Sequence, residues 1–255
     1  MATPPFTGVA VALVTLFDDD LRLDAPATAD LAARLVDAGV SAVVTAGSTG
    51  EASTLTVDER VELVQAVKAA VPAGTPVIAG TGAPSSAQAI ELTTTARDAG
   101  ADAALVLSPL AASDPRPYYD RVAAAVPDLP LLAYHFPAVS SPGIDVDHLA
   151  DLPVVGLKDS SGDADRLFIE LDAWDRPVYP GSSVLTLLAG AIGCPGVILA
   201  LANAEPETCV AAFGGDAGAQ YLLGPPARAT RHGFPHTIKA LTAERFGTST
   251  AARMG

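Results

Sequence analysis

The sequence predicts an α/β protein, a (β/α)8 TIM barrel with a short C-terminal helical extension. Three observations predict it. Eight short apolar runs recur along the chain, each bounded by Gly, Pro or polar residues. Their apolarity is nearly continuous, as parallel strands covered by helices require, rather than alternating. Helical patterns lie between them, over about 205 residues, and that alternation favours a closed barrel. An open doubly wound sheet is the alternative. It usually carries a phosphate-binding loop after its first strand, and LVTLFDDDLRLD contains neither GxGxxG nor GxxxxGK[ST].

The strands are read, in order, from VAVALVTLF (9–17), SAVVTAG (41–47), PVIAGTG (76–82), DAALVLSP (102–109), PLLAYHF (130–136), VVGLKDS (154–160), PVYPGSS (177–183) and GVILALAN (196–203). Residues 26–38 and 85–99 read as helices, and both end in Asp-Ala-Gly before a strand, with Gly39 and Gly100 as natural left-handed terminators. VDERVELVQAVKAAV repeats valine every three or four positions at Val57, Val61, Val64, Val67 and Val71. Thr56 and Glu59 form a capping box at its start. Between strands five and six a short helix is expected near 145–151. The barrel is assigned to residues 1–204. Residues 205–255 form the shortened extension, interrupted by GGDAG (214–218) and GPP (224–226).

Composition excludes several functions. The net charge of -14 argues against nucleic acid or an anionic membrane as partner. Two cysteines, Cys194 and Cys209, make no disulfide framework, and with His135, His148, His232 and His236 they show no metal-ligand spacing. No metal site is expected. The N-terminal apolar run is about nine residues without a basic flank, too short for a signal peptide core or a membrane span. A cytoplasmic location follows as the default.

In a (β/α)8 barrel the reactive residues sit at the C-terminal ends of the strands. That rule selects GSTGE (47–51) after strand two, Tyr134 to Pro137 after strand five, Lys158 at the end of strand six, and Gly181 to Ser183 after strand seven. An amine in a dry, apolar barrel mouth loses hydration, and its neutral form can attack a ketone to give a Schiff base. The chain has three lysines, Lys68, Lys158 and Lys239. Lys68 falls on an amphipathic helix and Lys239 in the tail, so Lys158 is the well-placed candidate. Tyr134, at the end of the adjacent strand, can lend and retrieve a proton. GSTGE offers backbone N–H groups and the Ser48 and Thr49 hydroxyls to a carboxylate. Glu51 reads as a structural hydrogen-bonding residue. His135 follows Tyr134 directly and should face the opposite side of the strand.

Six motifs, GSTGEASTLTVDER (47–60), VIAGTGA (77–83), GADAALVLSP (100–109), AYHFPA (133–138), GLKDSSGD (156–163) and GVILALAN (196–203), occur together. Their order and spacing resemble those of the dihydrodipicolinate synthase / N-acetylneuraminate lyase family, from residue 7 to about 210. The resemblance implies a (β/α)8 barrel, commonly homotetrameric, that joins pyruvate to an aldehyde or releases it. It makes Lys158 the Schiff-base lysine and Tyr134 the proton-transfer residue. It assigns Ser48 and Thr49 to the pyruvate carboxylate, with Ser48 also bonding the tyrosine hydroxyl, and the Ile198 backbone to the keto-acid pocket. Ser160 and Gly181 to Ser183 fall where lyase-type members contact the rest of the substrate. Three features depart from the dihydrodipicolinate synthase pattern. Leu110 and Ala111 stand where that subgroup usually has a tyrosine pair, with Tyr118 and Tyr119 coming later on a helix. AVSSPG (138–143) lacks the subgroup's usual arginine. The C-terminal region is short.

The expected function is therefore a class I aldolase or lyase that cleaves or condenses a 2-oxo acid, with pyruvate as keto-acid half. It needs no metal or organic cofactor and assembles as a homo-oligomer, dimer or tetramer. Two alternatives stand beside it: 4-hydroxy-tetrahydrodipicolinate synthase, acting on pyruvate and aspartate semialdehyde, and a non-catalytic barrel that binds 2-oxo acids.

Overall fold

A strand buried on both faces is apolar at nearly every position, and the eight strands follow that rule while serving two cores, apart from Thr45, His135, Lys158 and Asp159 near their C-terminal ends. The computed structural model describes residues 3–230 and 233–254, so His232 lies outside the described residues. The strands are β1 (Gly8–Ala12), β2 (Ala42–Thr45), β3 (Val77–Gly80), β4 (Ala103–Leu107), β5 (Leu131–His135), β6 (Gly156–Asp159), β7 (Val178–Pro180) and β8 (Gly196–Leu199). All pairings are parallel, in the order β7-β6-β5-β4-β3-β2-β1-β8. β7 and β8, the two ends of this order, lie side by side and complete a nearly closed barrel without pairing in a ladder.

Alternate residues divide between the two cores. Ala10, Ala42, Ile78, Leu105, Leu132 and Ile198 point into the barrel lumen. Val9, Val11, Val43, Val77, Ala104 and Val197 point outward and pack beneath the helices. Phe6 stacks on Tyr179 with ring centroids 4.4 Å apart. Its backbone carbonyl accepts the Tyr179 hydroxyl at 3.0 Å. The pair closes the lumen on the side from which the strands enter.

The outer layer is α1 (Ala25–Asp37), α2 (Val57–Ala70), α3 (Ser86–Asp98), α4 (Arg116–Ala125), α5 (Ala164–Ala173), α6 (Thr186–Ala191) and α7 (Pro206–Phe213), followed by α8 (Ala217–Ala229) and α9 (His236–Phe246). The Thr56/Glu59 capping box forms at the start of α2, a device worth about 1 kcal/mol. The buried face of α2 is Leu63, Val64 and Val67, with Val57 and Val61 half-exposed at its first turn. Gly39 and Gly100 adopt φ of 100° and 96° just beyond α1 and α3. The short helix between β5 and β6 is a 3-10 helix, Val146–Asp151.

Two strand readings and one loop reading need correction. The first apolar run continues to Phe17, but β1 stops at Ala12. Beyond it the Val14 N–H turns to the Asn203 side chain (3.0 Å) and the Leu16 N–H to Thr28 (3.0 Å). Burial beneath loops, not a ladder, keeps this stretch apolar. The last run likewise leaves the sheet at Leu199 and turns into a 3-10 helix, Leu201–Asn203. GPP does not interrupt the tail: Pro225 and Pro226 lie inside α8. The carbonyls these prolines leave without helical partners belong to Tyr221 and Leu222. Those two residues are the helix's exposed apolar side chains, at 83% and 65%, and water can serve their carbonyls.

Candidate active site

The C-terminal ends of the strands surround a cavity of about 350 Å³. Another hollow, of about 370 Å³, lies on the outer surface around Trp174 and Arg176, and no strand end contributes to it. The barrel cavity is where reactive groups gather.

Lys158 lies on β6 opposite Tyr134 of β5 on one side and Tyr179 of β7 on the other. It is 5% exposed, and its Nζ sits 4.3 Å from the centroid of the Tyr134 ring. The Tyr134 ring in turn stacks on Phe136 at 5.8 Å. Amine and phenol thus share one wall of the cavity, held by strand register rather than by a flexible loop. Gly181 makes the close approach from β7 possible. A Cβ there would fall 2.1 Å from Ser160 Oγ and 3.1 Å from Lys158 Cε, so a larger residue would push into both.

The turn after β2 brings Ser48 and Thr49 to the opposite side of the same cavity. It is bracketed by two non-glycine residues in the left-handed region, Ala46 (φ 50°) and Glu51 (φ 56°). Each such conformation costs of order 1 kcal/mol or more and persists only where the surroundings enforce it. Here Thr15 Oγ1 donates to the Gly50 carbonyl at 2.7 Å. Arg60 donates to Gly80 O at 2.8 Å and to Ala52 O, tying the turn to the end of β3. Ser48 and Tyr134 line the same cavity, but no hydrogen bond joins their side chains in this structure.

Behind Lys158 lies a buried charge cluster that faces away from the cavity. Asp159 accepts from the Ser161 N–H (2.6 Å) and hydroxyl (2.8 Å), which shapes the loop holding Ser160. Arg166 Nε lies 2.8 Å from Glu170 Oε1 and 3.7 Å from Asp159 Oδ2. The nearer contact has no aligned hydrogen bond. Burial, and next the neighbouring Asp159 charge, push the Glu170 carboxyl up to about 8. In the unfolded chain the same group titrates near 4.5. Between these values the folded protein keeps a proton that the unfolded chain has lost, so stability falls as pH rises through the window. Glu170→Gln cannot lose that proton. Its melting temperature, compared with wild type, is expected to climb between about pH 5 and about pH 8; differential scanning calorimetry at both ends checks this, and a constant difference would refute it.

His135 belongs to this back face. It is 4% exposed, and its Nδ1 accepts from the Ile144 N–H at 2.8 Å. Burial, with Arg166 nearby, pushes its imidazole down to about 4, so it is held neutral. Tyr118 and Tyr119 are also committed elsewhere, their hydroxyls donating to Ala83 O (3.0 Å) and Val106 O (2.8 Å). Among the described residues no group of three His, Cys, Asp or Glu side chains could hold a metal ion. No helix of the described residues is long and apolar enough to cross a membrane.

The structure brings all eight sequence-predicted residues, Lys158, Tyr134, Ser48, Thr49, Ile198, Ser160, Gly181 and Ser183, to the lining of one cavity. Sequence reasoning missed the roof: Ala227 and Thr230 at the end of α8, and Phe234 beyond it. No motif marks these positions; they reach the mouth because α8 packs back beside Ser183 and α6.

Comparison with known proteins agrees with this fold. A family model described as "Dihydrodipicolinate synthetase family" matches residues 5–216. A 4-hydroxy-tetrahydrodipicolinate synthase of Natronomonas pharaonis is 40% identical over 226 residues, covering 84% of this chain and 76% of that protein. The crystal structure of dihydrodipicolinate synthase DapA-2 from Bacillus anthracis superposes with a TM-score of 0.89 at 29% identity, covering 99% of this chain and 92% of that one. A crystal structure of KD(P)GA from T. tenax gives 0.87 at 25% identity, covering 96% and 90%.

Proposed function

The chain belongs to the dihydrodipicolinate synthetase family and is a class I carbon–carbon lyase, and from that premise we propose that Lys158 and Tyr134 carry its chemistry, with pyruvate as the keto-acid half. The observation that supports this most directly is the register that sets Lys158 opposite Tyr134, with the amine 4.3 Å from the ring. The Lys158 amine adds to the ketone carbon, and the tyrosine hydroxyl relays protons as the carbinolamine loses water. The resulting protonated imine withdraws electrons from the neighbouring carbon. Cleavage of the adjacent C–C bond leaves an enamine and frees the aldehyde, the substrate hydroxyl's proton leaving through the Tyr134 relay; the enamine carbon is then reprotonated and water hydrolyses the imine to release pyruvate and the Lys158 amine. Condensation runs the same steps in reverse. Ser48 and Thr49 take the carboxylate end, and the Ile198 backbone lines the keto-acid pocket. Ser160, Gly181 and Ser183 face the aldehyde half. Residues 1–204 form the catalytic barrel and residues 205–255 the extension that roofs it. The protein works in the cytoplasm, assembled with copies of itself.

A second reading, 4-hydroxy-tetrahydrodipicolinate synthase, is favoured by the Natronomonas relative's name. Against it stand Leu110 and Ala111 in place of a tyrosine pair and an arginine-free AVSSPG loop. One experiment tests both. The protein is incubated with pyruvate and borohydride and its mass measured, then assayed on 2-oxo-3-deoxy sugar acids, N-acetylneuraminate, and pyruvate with aspartate semialdehyde. A reduced adduct on Lys158 is expected, with turnover on a 2-oxo sugar acid. An unmodified Lys158 refutes the mechanism, and turnover confined to aspartate semialdehyde selects the second reading.

A further inference from the structure

The turn that carries Ser48 and Thr49 ends at Glu51, and Glu51 is wholly buried. Its partners come from the far end of the chain. Lys239 of α9, also wholly buried, forms an ion pair with Glu51 Oε1. The backbone N–H groups of Arg253 and Met254 donate to Glu51 Oε2 at 2.7 and 2.8 Å. Lys239 Nζ donates to Ala251 O at 2.6 Å, so the same amine holds both the carboxylate and the segment that caps it. Arg253 fastens the segment from outside. Its guanidinium donates to both Glu59 oxygens (2.9 and 2.6 Å) and to Thr54 O (3.1 Å), and its Nε donates to Leu21 O (2.8 Å). Lys239 and Arg253 each stand 4.4 Å from the centroid of the Phe17 ring.

Two arguments raise this cluster above ordinary packing. Glu51 holds φ 56° and ψ 41°, a conformation that a residue with a side chain adopts at a cost. The carboxylate contacts join Thr15 and Arg60 in over-determining it, and the backbone next to it toward the cavity is that of Gly50 and Thr49. A buried carboxylate with a single lysine would meet its charge requirement. The two N–H groups of residues 253 and 254 add direction, locking the carboxylate's plane and, through it, the pitch of the turn.

We propose that Glu51 is a positioning residue for the keto-acid subsite, and that the backbone of segment Ala251–Met254 is its support, so that a stretch remote in sequence sets the turn facing the substrate's carboxylate. This rests on the reading of Ser48 and Thr49 as the carboxylate's partners. The segment touches no substrate; it sets the turn so that both hydroxyls and the intervening N–H groups converge before the keto acid arrives. Preorganisation of this kind appears in binding of the keto acid and leaves later bond-making steps alone.

The test uses borohydride trapping of pyruvate on the full-length protein, with pyruvate concentration varied. Met254→Pro removes one N–H donor to Glu51, whereas Met254→Leu keeps it. Met254→Pro and Glu51→Gln are expected to raise the half-saturating pyruvate concentration about tenfold, the equivalent of losing one charge-assisted hydrogen bond's worth of order, about 1.4 kcal/mol. The trapping rate at saturating pyruvate should match wild type, and Met254→Leu should behave as wild type throughout. If Glu51→Gln does not fold, the Met254 pair decides alone. A lowered melting temperature with an unmoved half-saturation would make the cluster merely structural and overturn the proposal. Absence of any adduct in the wild-type protein would instead remove the functional reading, and this inference with it.

Discussion

Lys158→Arg is expected to abolish the trapped pyruvate adduct and to lower turnover on the order of 10⁴-fold or more, because a covalent route loses its nucleophile entirely. The replacement keeps length and positive charge but has no lone pair to offer, since guanidinium stays protonated. No other lysine can stand in. Lys68 is paired with Asp102 at 2.8 Å on the outer face, and Lys239 is enclosed between Glu51 and the Ala251 carbonyl. Intact-protein mass after borohydride reduction reads the adduct directly, and a thermal melt confirms that the variant is folded. A folded Lys158→Arg protein that still forms the adduct would displace the mechanism.

Tyr134→Phe removes one oxygen and little else. The ring keeps its stack on Phe136 and its place beneath the lysine amine, so the architecture of the wall survives. Turnover is expected to fall about 10² to 10⁴-fold, the range that a positioned proton donor contributes, with much smaller change in the concentration of pyruvate needed for trapping. Stopped-flow observation of imine formation, alongside steady-state turnover, separates the steps. Unchanged turnover in this variant would assign the proton relay to another group.

The eight-strand pattern was readable because parallel strands buried on both faces leave an unbroken apolar signature. Strand ends were not, because apolar residues such as Leu13 to Phe17 and Leu201 are buried by loops as effectively as by a sheet. Lys158 and Tyr134 could be singled out from their positions at adjacent strand ends. The roof formed by Ala227, Thr230 and Phe234 depends on how α8 folds back, and no local periodicity encodes that path. GPP looked like a break because proline costs a helix its hydrogen bonds; the exposure of Tyr221 and Leu222 supplies what the sequence alone did not display. Glu51 was readable as structural, but its partners lie about 200 residues away, a distance at which a single sequence carries no pairing signal.

Phe6, stacked on Tyr179, has a consequence for the order of events. With that pair packed at the lower end of the lumen, the cavity is reached from the mouth at the C-terminal strand ends. On the proposed chemistry, what is bonded to Lys158 lies beneath whatever occupies the mouth, so traffic runs last in, first out. In the condensing direction the keto acid must enter and shed its water before the aldehyde arrives above it. In the cleaving direction the aldehyde must depart before pyruvate can be hydrolysed free. The stacked pair at the floor thereby imposes a queue on the two halves of the reaction without touching either.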